Sequence, residues 1–256
     1  MFPVILKISF LEVRSYYVLW ASALFIFVAW TRRRAERLWG MEDGDVTSVL
    51  LRVYCAGVLG SYAAAVTEKL PRFFAGEIAL GAALSGLESW GGILAGGLTA
   101  LWSLKKRGMR IEAFAESAAL PAAAMMAVGR IGCFLEGCCA GVGKFYASPP
   151  CWTVHMRNDA RGFYRFPSQL AESLLSFASL LLLLAVEKYL RKKRGGTRHA
   201  FCFPLYMLLY SLYRLLFDAY REAVSPEARV LWAAAALAGV LWLAASFIGE
   251  RCASRG

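Results

Sequence analysis

The sequence predicts an all-α integral membrane protein with about seven transmembrane helices, and three observations carry that expectation. First, the chain of 256 residues is 59% apolar and 18% charged, with a mean hydropathy of +0.50; a soluble domain is about a quarter charged and under half apolar. Second, the apolar residues are gathered in runs such as Val18–Trp30, Ile93–Leu104, Leu174–Val186 and Val230–Ile248. With its flanks, each run approaches the roughly 20 residues that cross a hydrocarbon core. Third, basic clusters follow these runs at Arg32–Arg37, Lys105–Arg110, Lys188–Arg198 and Arg251–Arg255, the pattern of cytoplasmic loop ends.

Taken in order, residues 1–13 alternate apolar and polar and read as a short amphipathic segment in the membrane interface. Spans are expected over residues 15–31, 46–66, 78–104, 111–128, 168–187, 200–218 and 229–248. The first reads as an anchor and not a cleavable signal, because Arg32, Arg33, Arg34 and Arg37 follow it in place of an Ala-x-Ala site. Basic clusters after the first, third, fifth and seventh spans put the N-terminus outside and the C-terminus in the cytoplasm. The longest connection, about 129–167, is then an extracytoplasmic (periplasmic) loop region. It carries Arg130, Arg157, Arg161, Arg165 and His155 among aromatics that favour order near the headgroups. Residues 1–256 read as a single transmembrane domain, with small-residue runs such as Gly92–Gly96 permitting close helix packing. The net charge of +11 is a topology device, since sixteen of the 29 Lys and Arg lie in the four clusters; nucleic acid is not an expected partner.

Three segments carry chemistry. In Gly129–Gly141, three glycines at 129, 132 and 137 allow tight helix ends or close backbone approach. Arg130 and Glu136 sit there where an apolar span runs out. Arg130 suits forked binding of phosphate oxygens; the plainer reading is an arginine snorkelling at a helix end. In Arg165–Glu172, Pro167 can open the fifth span, placing Gln169 and Glu172 one turn apart; Ser168 as helix cap is the plainer reading. In Tyr210–Glu222, Arg214 lies inside an apolar span, where an ionisable residue is by default functional; an ion pair with Asp218 is the competing account. Among the cysteines, Cys55 and Cys202 read as small hydrophobes. Cys133, Cys138, Cys139 and Cys151 fall in one loop region without paired CxxC spacing. A disulfide there is open, with no pairing legible.

These residues bring a family into view. The chain resembles the prolipoprotein diacylglyceryl transferases of the bacterial inner membrane. Gly129–Gly141 is similar to the family signature G-R-[IL]-G-N-F-[IL]-N-G-x-x-x-G, and Phe166–Glu172 to its H-P-S-Q-L-Y-E segment. Tyr213–Glu222 resembles its late arginine-rich span, and Trp90–Ala95 its H-G-G-L-I-G. Phe2-Pro3 with Arg14-Ser15-Tyr16 is similar to its opening. Departures are specific: Trp90 and Phe166 stand at family histidines, Cys133 at the signature asparagine, and Leu59-Gly60-Ser61 lacks the arginine of a family Gly-Gly-Arg.

The resemblance implies transfer of the diacylglyceryl group of phosphatidylglycerol to the lipobox cysteine of a preprolipoprotein, giving a thioether and glycerol phosphate. It implies Arg130, Glu136 and Arg214 as catalytic residues. Tyr16, Trp90, Cys133, Gly141, Gln169, Glu172 and Arg221 would bind substrate. No metal or organic cofactor is implied. With Trp90 at the histidine position, the base would be Glu136, water or the lipid phosphate. A family member acting on another acceptor, and a non-catalytic lipid-binding membrane protein, are the alternatives.

Overall fold

Alternation of apolar and polar residues is a two-residue period that favours strands, and Leu6 to Ser9 and Leu11 to Arg14 follow it while Val4-Ile5-Leu6 is continuously apolar. The opening segment is accordingly an antiparallel pair, β1 (Val4–Ile8) and β2 (Leu11–Arg14), with Lys7 opposite Glu12 and an irregularity between Val4 and Leu6. This comes from a computed structural model that describes residues 4–8, 11–146, 148–156, 162–194, 200–221 and 226–253. Phe2, Pro3, Arg157, Arg161, Arg198, Glu222 and Arg255 lie outside the described residues.

The remainder is helical: α1 (Ser15–Trp39), α2 (Asp43–Phe74), the one-turn α3 (Leu80–Ala83), α4 (Ser89–Lys106), α5 (Ile111–Glu136), α6 (Ser168–Arg194), α7 (Cys202–Asp218) and α8 (Pro226–Ala253). Four of these, α2, α5, α6 and α8, are long and apolar enough to cross a membrane. Leucines and valines such as Leu174, Leu181, Val230, Leu237 and Leu241 lie exposed along α6 and α8, a surface suited to lipid and not to water.

Helices α1, α2 and α6 run seven or eight residues past the spans expected to end at 31, 66 and 187, and two further differences change the architecture. The apolar run at 78–104 is not one helix. The chain is non-helical from Leu84 to Glu88, where Gly86 takes a left-handed φ of 99°, and the long helix begins only at Ser89. The 129–167 connection begins later than expected, because α5 continues to Glu136. Its last two turns stay helical because the glycines there let α1 pack against them. A Cβ on Gly129 would stand 2.9 Å from the Trp20 indole, and one on Gly132 would stand 3.3 Å from Leu19 Cβ. Among its described residues the connection carries a three-stranded antiparallel sheet of β3 (Gly143–Lys144), β5 (Tyr164–Arg165) and β4 (Val154–His155), with β5 central.

The chain divides into two compact units, residues 32–114 and residues 1–31 with 115–256. Within the first, α2 and α4 approach closely through small residues. A Cβ on Gly60 would meet Ala95 and the Gly91 backbone; one on Gly91 would meet Ala64 and the Gly60 carbonyl; one on Gly92 would meet the Ser61 hydroxyl. Arg107 forms an ion pair with Asp45 and donates to Ser48 Oγ at 2.8 Å. Within the second, Ala119, Leu120 and Ala123 of α5 pack with Leu183 of α6 and with Cys202 and Tyr206 of α7. Polar side chains cross this interior by bonding backbone or one another. Ser173 donates to the Ala127 carbonyl at 2.7 Å, and Ser176 and Tyr213 hydroxyls lie 2.9 Å apart. Glu116 of α5 accepts the backbone N–H groups of Cys202 and Phe203 at 3.0 and 3.1 Å. It thereby caps the first turn of α7, whose own sequence supplies no capping side chain.

Candidate active site

A helix that carries an ionisable residue through an apolar interior must give it a partner. Here α5, α6 and α7 do so jointly. Glu172, on the second turn of α6 and fully buried, is the centre of the arrangement. Arg130 from α5 brings Nε to 2.8 Å of Glu172 Oε2. Arg214 from α7 brings Nη1 to 3.2 and 3.3 Å of its two oxygens. Arg221, just past α7, donates from Nη2 to Oε1 at 2.5 Å. A second carboxylate, Asp218, lies 3.1 Å from Arg214 Nη2 and 3.9 Å from Arg221 Nη1. Three guanidiniums thus face two carboxylates, so the group keeps an excess positive charge. Arg214 is 4% and Arg130 8% exposed, and at such burial charge acts far more strongly than in water. Arg214 also lies over the Trp232 ring, 5.3 Å from its centroid.

The chain beyond α5 is held to this group by specific bonds. Gln169 Nε2 donates to the Cys138 carbonyl at 2.6 Å and Ser168 Oγ to the Cys139 carbonyl at 3.0 Å. Ser168 therefore fastens a loop, where the sequence suggested a helix cap. Gly141 lies between two strips of backbone. Its N–H donates to the Phe166 carbonyl at 3.2 Å, it pairs with Arg221 in an antiparallel bridge, and Arg165 Nη1 donates to its carbonyl at 2.9 Å. A Cβ there would stand 3.1 Å from Phe166 O and 3.3 Å from Tyr220 O, so only glycine fits without displacement. Phe166 stacks on Phe217 with centroids 6.1 Å apart.

Three thiols gather beside this loop. Cys133 is buried on the last turn of α5, and Cys138 and Cys139 follow Gly137. Hydrogen bonding with the other two thiols holds the Cys139 thiol below its ordinary pKa, helped by the charges of Arg130 and Arg221 and opposed by burial. The same sharing pushes the Cys138 thiol up.

The structure thus brings together Arg130, Glu172, Arg214 and Arg221, with Gln169, Gly141 and Cys133 around them. Glu136 pairs with Arg14, Nη1 to Oε1 at 2.7 Å, while the carboxylate on Arg130 is that of Glu172. Tyr16, near the start of α1, packs against Tyr17 and Trp20 with centroids 5.5 and 6.4 Å away. Trp90 stands at the start of α4 in the other unit. Sequence reasoning assigned Glu172 to substrate binding through the resemblance and did not foresee that it joins three arginines. It passed over Glu116, although a carboxylate inside an apolar span was signal enough. The convergence of Cys138 and Cys139 on Cys133 had no signal in their spacing.

Residues 3–249 match the profile of the family described as Prolipoprotein diacylglyceryl transferase. Among curated relatives, the phosphatidylglycerol–prolipoprotein diacylglyceryl transferase of Clostridium tetani is 22% identical over 86% of this chain and 85% of its own length. The protein of the same name from Solidesulfovibrio magneticus is 28% identical over 86% of this chain and 81% of its own. With a match that runs through every helix and through each segment of the arginine cluster, the chain belongs to the prolipoprotein diacylglyceryl transferase family.

Proposed function

We propose that the protein transfers the diacylglyceryl group of phosphatidylglycerol to the lipobox cysteine thiol of a preprolipoprotein. The observation that carries this reading is the buried group of Arg130, Arg214 and Arg221 on Glu172 and Asp218. In the reaction the thiolate sulfur attacks the glyceryl carbon that bears the phosphate. The C–O bond breaks, and its electron pair leaves with glycerol phosphate. Charge grows on that phosphate in the transition state, where fixed guanidiniums in a low-dielectric site stabilise it most. Arg130 and Arg214 take this role. Glu172 and Asp218 hold their planar forks in place, and Glu172 with Arg221 borders the headgroup. Gln169 and Gly141 fix the loop that follows Cys133, and Tyr16 belongs to the substrate-binding set, as the resemblance implies for Trp90 as well. Glu136 acts as a proton acceptor or through its pair with Arg14.

Seven spans are part of the same reading: α1, α4 and α7 cross with the four longest apolar helices. The N-terminus is then outside, the C-terminus cytoplasmic, and the 137–167 loop on the outer face of the bacterial inner membrane, where lipobox peptides arrive. Incubation of the purified protein with phosphatidylglycerol and a lipobox peptide tests the reading. A peptide mass gain of one diacylglyceryl group, as a base-stable thioether, is expected. Phosphatidylglycerol bound without any product would make it a lipid-binding protein instead.

A further inference from the structure

The thiols of Cys133, Cys138 and Cys139 lie within 4.8 Å of one another, and all three are free. Their backbone is built to keep them there. Gly137 and Cys139 both take left-handed conformations, with φ of 83° and 61°, and Cys139 is the one non-glycine residue with positive φ among the described residues. A side chain in that region costs about 1 kcal/mol or more and persists only where its surroundings enforce it. The enforcing bonds are present: Gln169 and Ser168 hold the carbonyls of Cys138 and Cys139, and Cys138 Sγ lies 3.7 Å from the Cys133 carbonyl. Cys133 is buried, Cys138 half-buried and Cys139 exposed, so the trio runs from the interior to the surface.

We propose that Cys133, Cys138 and Cys139 bind a zinc ion whose fourth position takes the acceptor thiol; the identity of that thiol rests on the transfer reading above. Tetrahedral zinc with sulfur at about 2.3 Å sets its ligands about 3.8 Å apart, within reach of this trio by side-chain rotation. Three protein ligands and one open position is the arrangement of a catalytic and not a structural zinc. Three thiolates on Zn²⁺ leave one negative charge. It falls beside the positive arginine group, since Arg130 lies one turn before Cys133 on α5 and Arg221 pairs with Gly141, two residues past Cys139. At the open position the acceptor thiol loses its proton to water and is held as thiolate. Its sulfur attacks the glyceryl carbon, the phosphate leaves with the electron pair, and the thioether, a poorer ligand, departs. The ion is not consumed.

The test uses the full chain in detergent, reduced, stripped with a chelator and titrated with Co²⁺. A thiolate-to-cobalt charge-transfer band saturating at one ion per chain, and abolished by Zn²⁺, is expected. Cys133→Ser and Cys139→Ser should each weaken zinc binding by about 100-fold or more, since even partners of a ligand cost 10–100-fold; Cys55→Ser should not. A lipobox peptide should intensify the band, and the same peptide with serine for cysteine should leave it unchanged. Absence of the band, or its survival in both Cys133→Ser and Cys139→Ser, overturns the site. A band indifferent to the peptide overturns the open position. Thioether formation by the stripped protein at the zinc-loaded rate overturns the role in thiol activation. A peptide-responsive band without thioether in any form leaves the zinc site standing and removes the transfer reading instead.

Discussion

Two regions of this protein hold helices together by opposite means. Between α2 and α4, Gly60, Gly91 and Gly92 let one backbone lie directly on the other. Among α5, α6 and α7, five charged side chains meet in an apolar interior. In lipid there is no hydrophobic gain from bringing apolar helices together, so close packing or polar contact must do it. The glycine contact fulfils most of that task, with Arg107 on Asp45 and Ser48 at one end of the pair. The ionic contact is a poor choice for stability alone, because desolvation cancels most of its Coulomb energy and apolar replacements are often as stable. The simpler solution is present in one region and the ionic one in another, and the transfer reading gives those charges a use.

Breaking the ionic region at its centre should have the largest effect. Glu172→Ala leaves three arginines without their common carboxylate. Thermal unfolding in detergent should show a loss of about 3–5 kcal/mol, with transfer abolished; Glu172→Gln should keep more of the fold and still lack transfer. Arg130→Ala should preserve expression and membrane insertion while raising the barrier by about 3–4 kcal/mol, measured as transfer rate. Near-wild-type turnover would remove Arg130 from the site.

Arg214 sharpens the comparison because it has two carboxylate partners. If it serves the phosphate, Arg214→Ala is folded and slow, Arg214→Ala with Asp218→Ala is no faster, and Arg214→Lys recovers part of the rate, having charge without the planar fork. A stable double variant with normal transfer would assign it to the ion pair with Asp218. In the glycine region, Gly91→Val should cost about 1–3 kcal/mol by overpacking, seen as a lower unfolding temperature without the selective loss of rate shown by Arg130→Ala. The smallest effect is expected at Trp90. Trp90→Phe should keep most activity, and a Trp90→His variant much faster than the parent would mark the tryptophan as a loss of function.

What was legible in the sequence follows the same division. Helices were readable because apolar length and basic clusters are local signals, so α6 and α7 begin within two residues of expectation. The break at Leu84–Glu88 was hidden because an apolar run does not reveal one residue with positive φ. The helical Gly129–Glu136 was hidden because glycines that look like breakers are there to admit Trp20 and Leu19. Arg130, Glu172 and Arg214 stood out singly, each as a charge near or inside an apolar run. That Glu172 joins them depends on the azimuth of three helices around one point, which no single-helix pattern records.

The bonds from Glu116 to the first N–H groups of α7 have a consequence for how the protein is made. The carboxylate and the amides it serves are 86 and 87 residues apart in the chain. A ribosome releases them in that order, so α5 enters the bilayer before the two amides exist. During that interval the lipid holds a helix whose acid has yet to meet them, and the arrival of Cys202 and Phe203 completes the contact. The first turn of α7 is therefore closed by a side chain made 86 residues earlier, so that end of the helix meets its acceptor as soon as it is made.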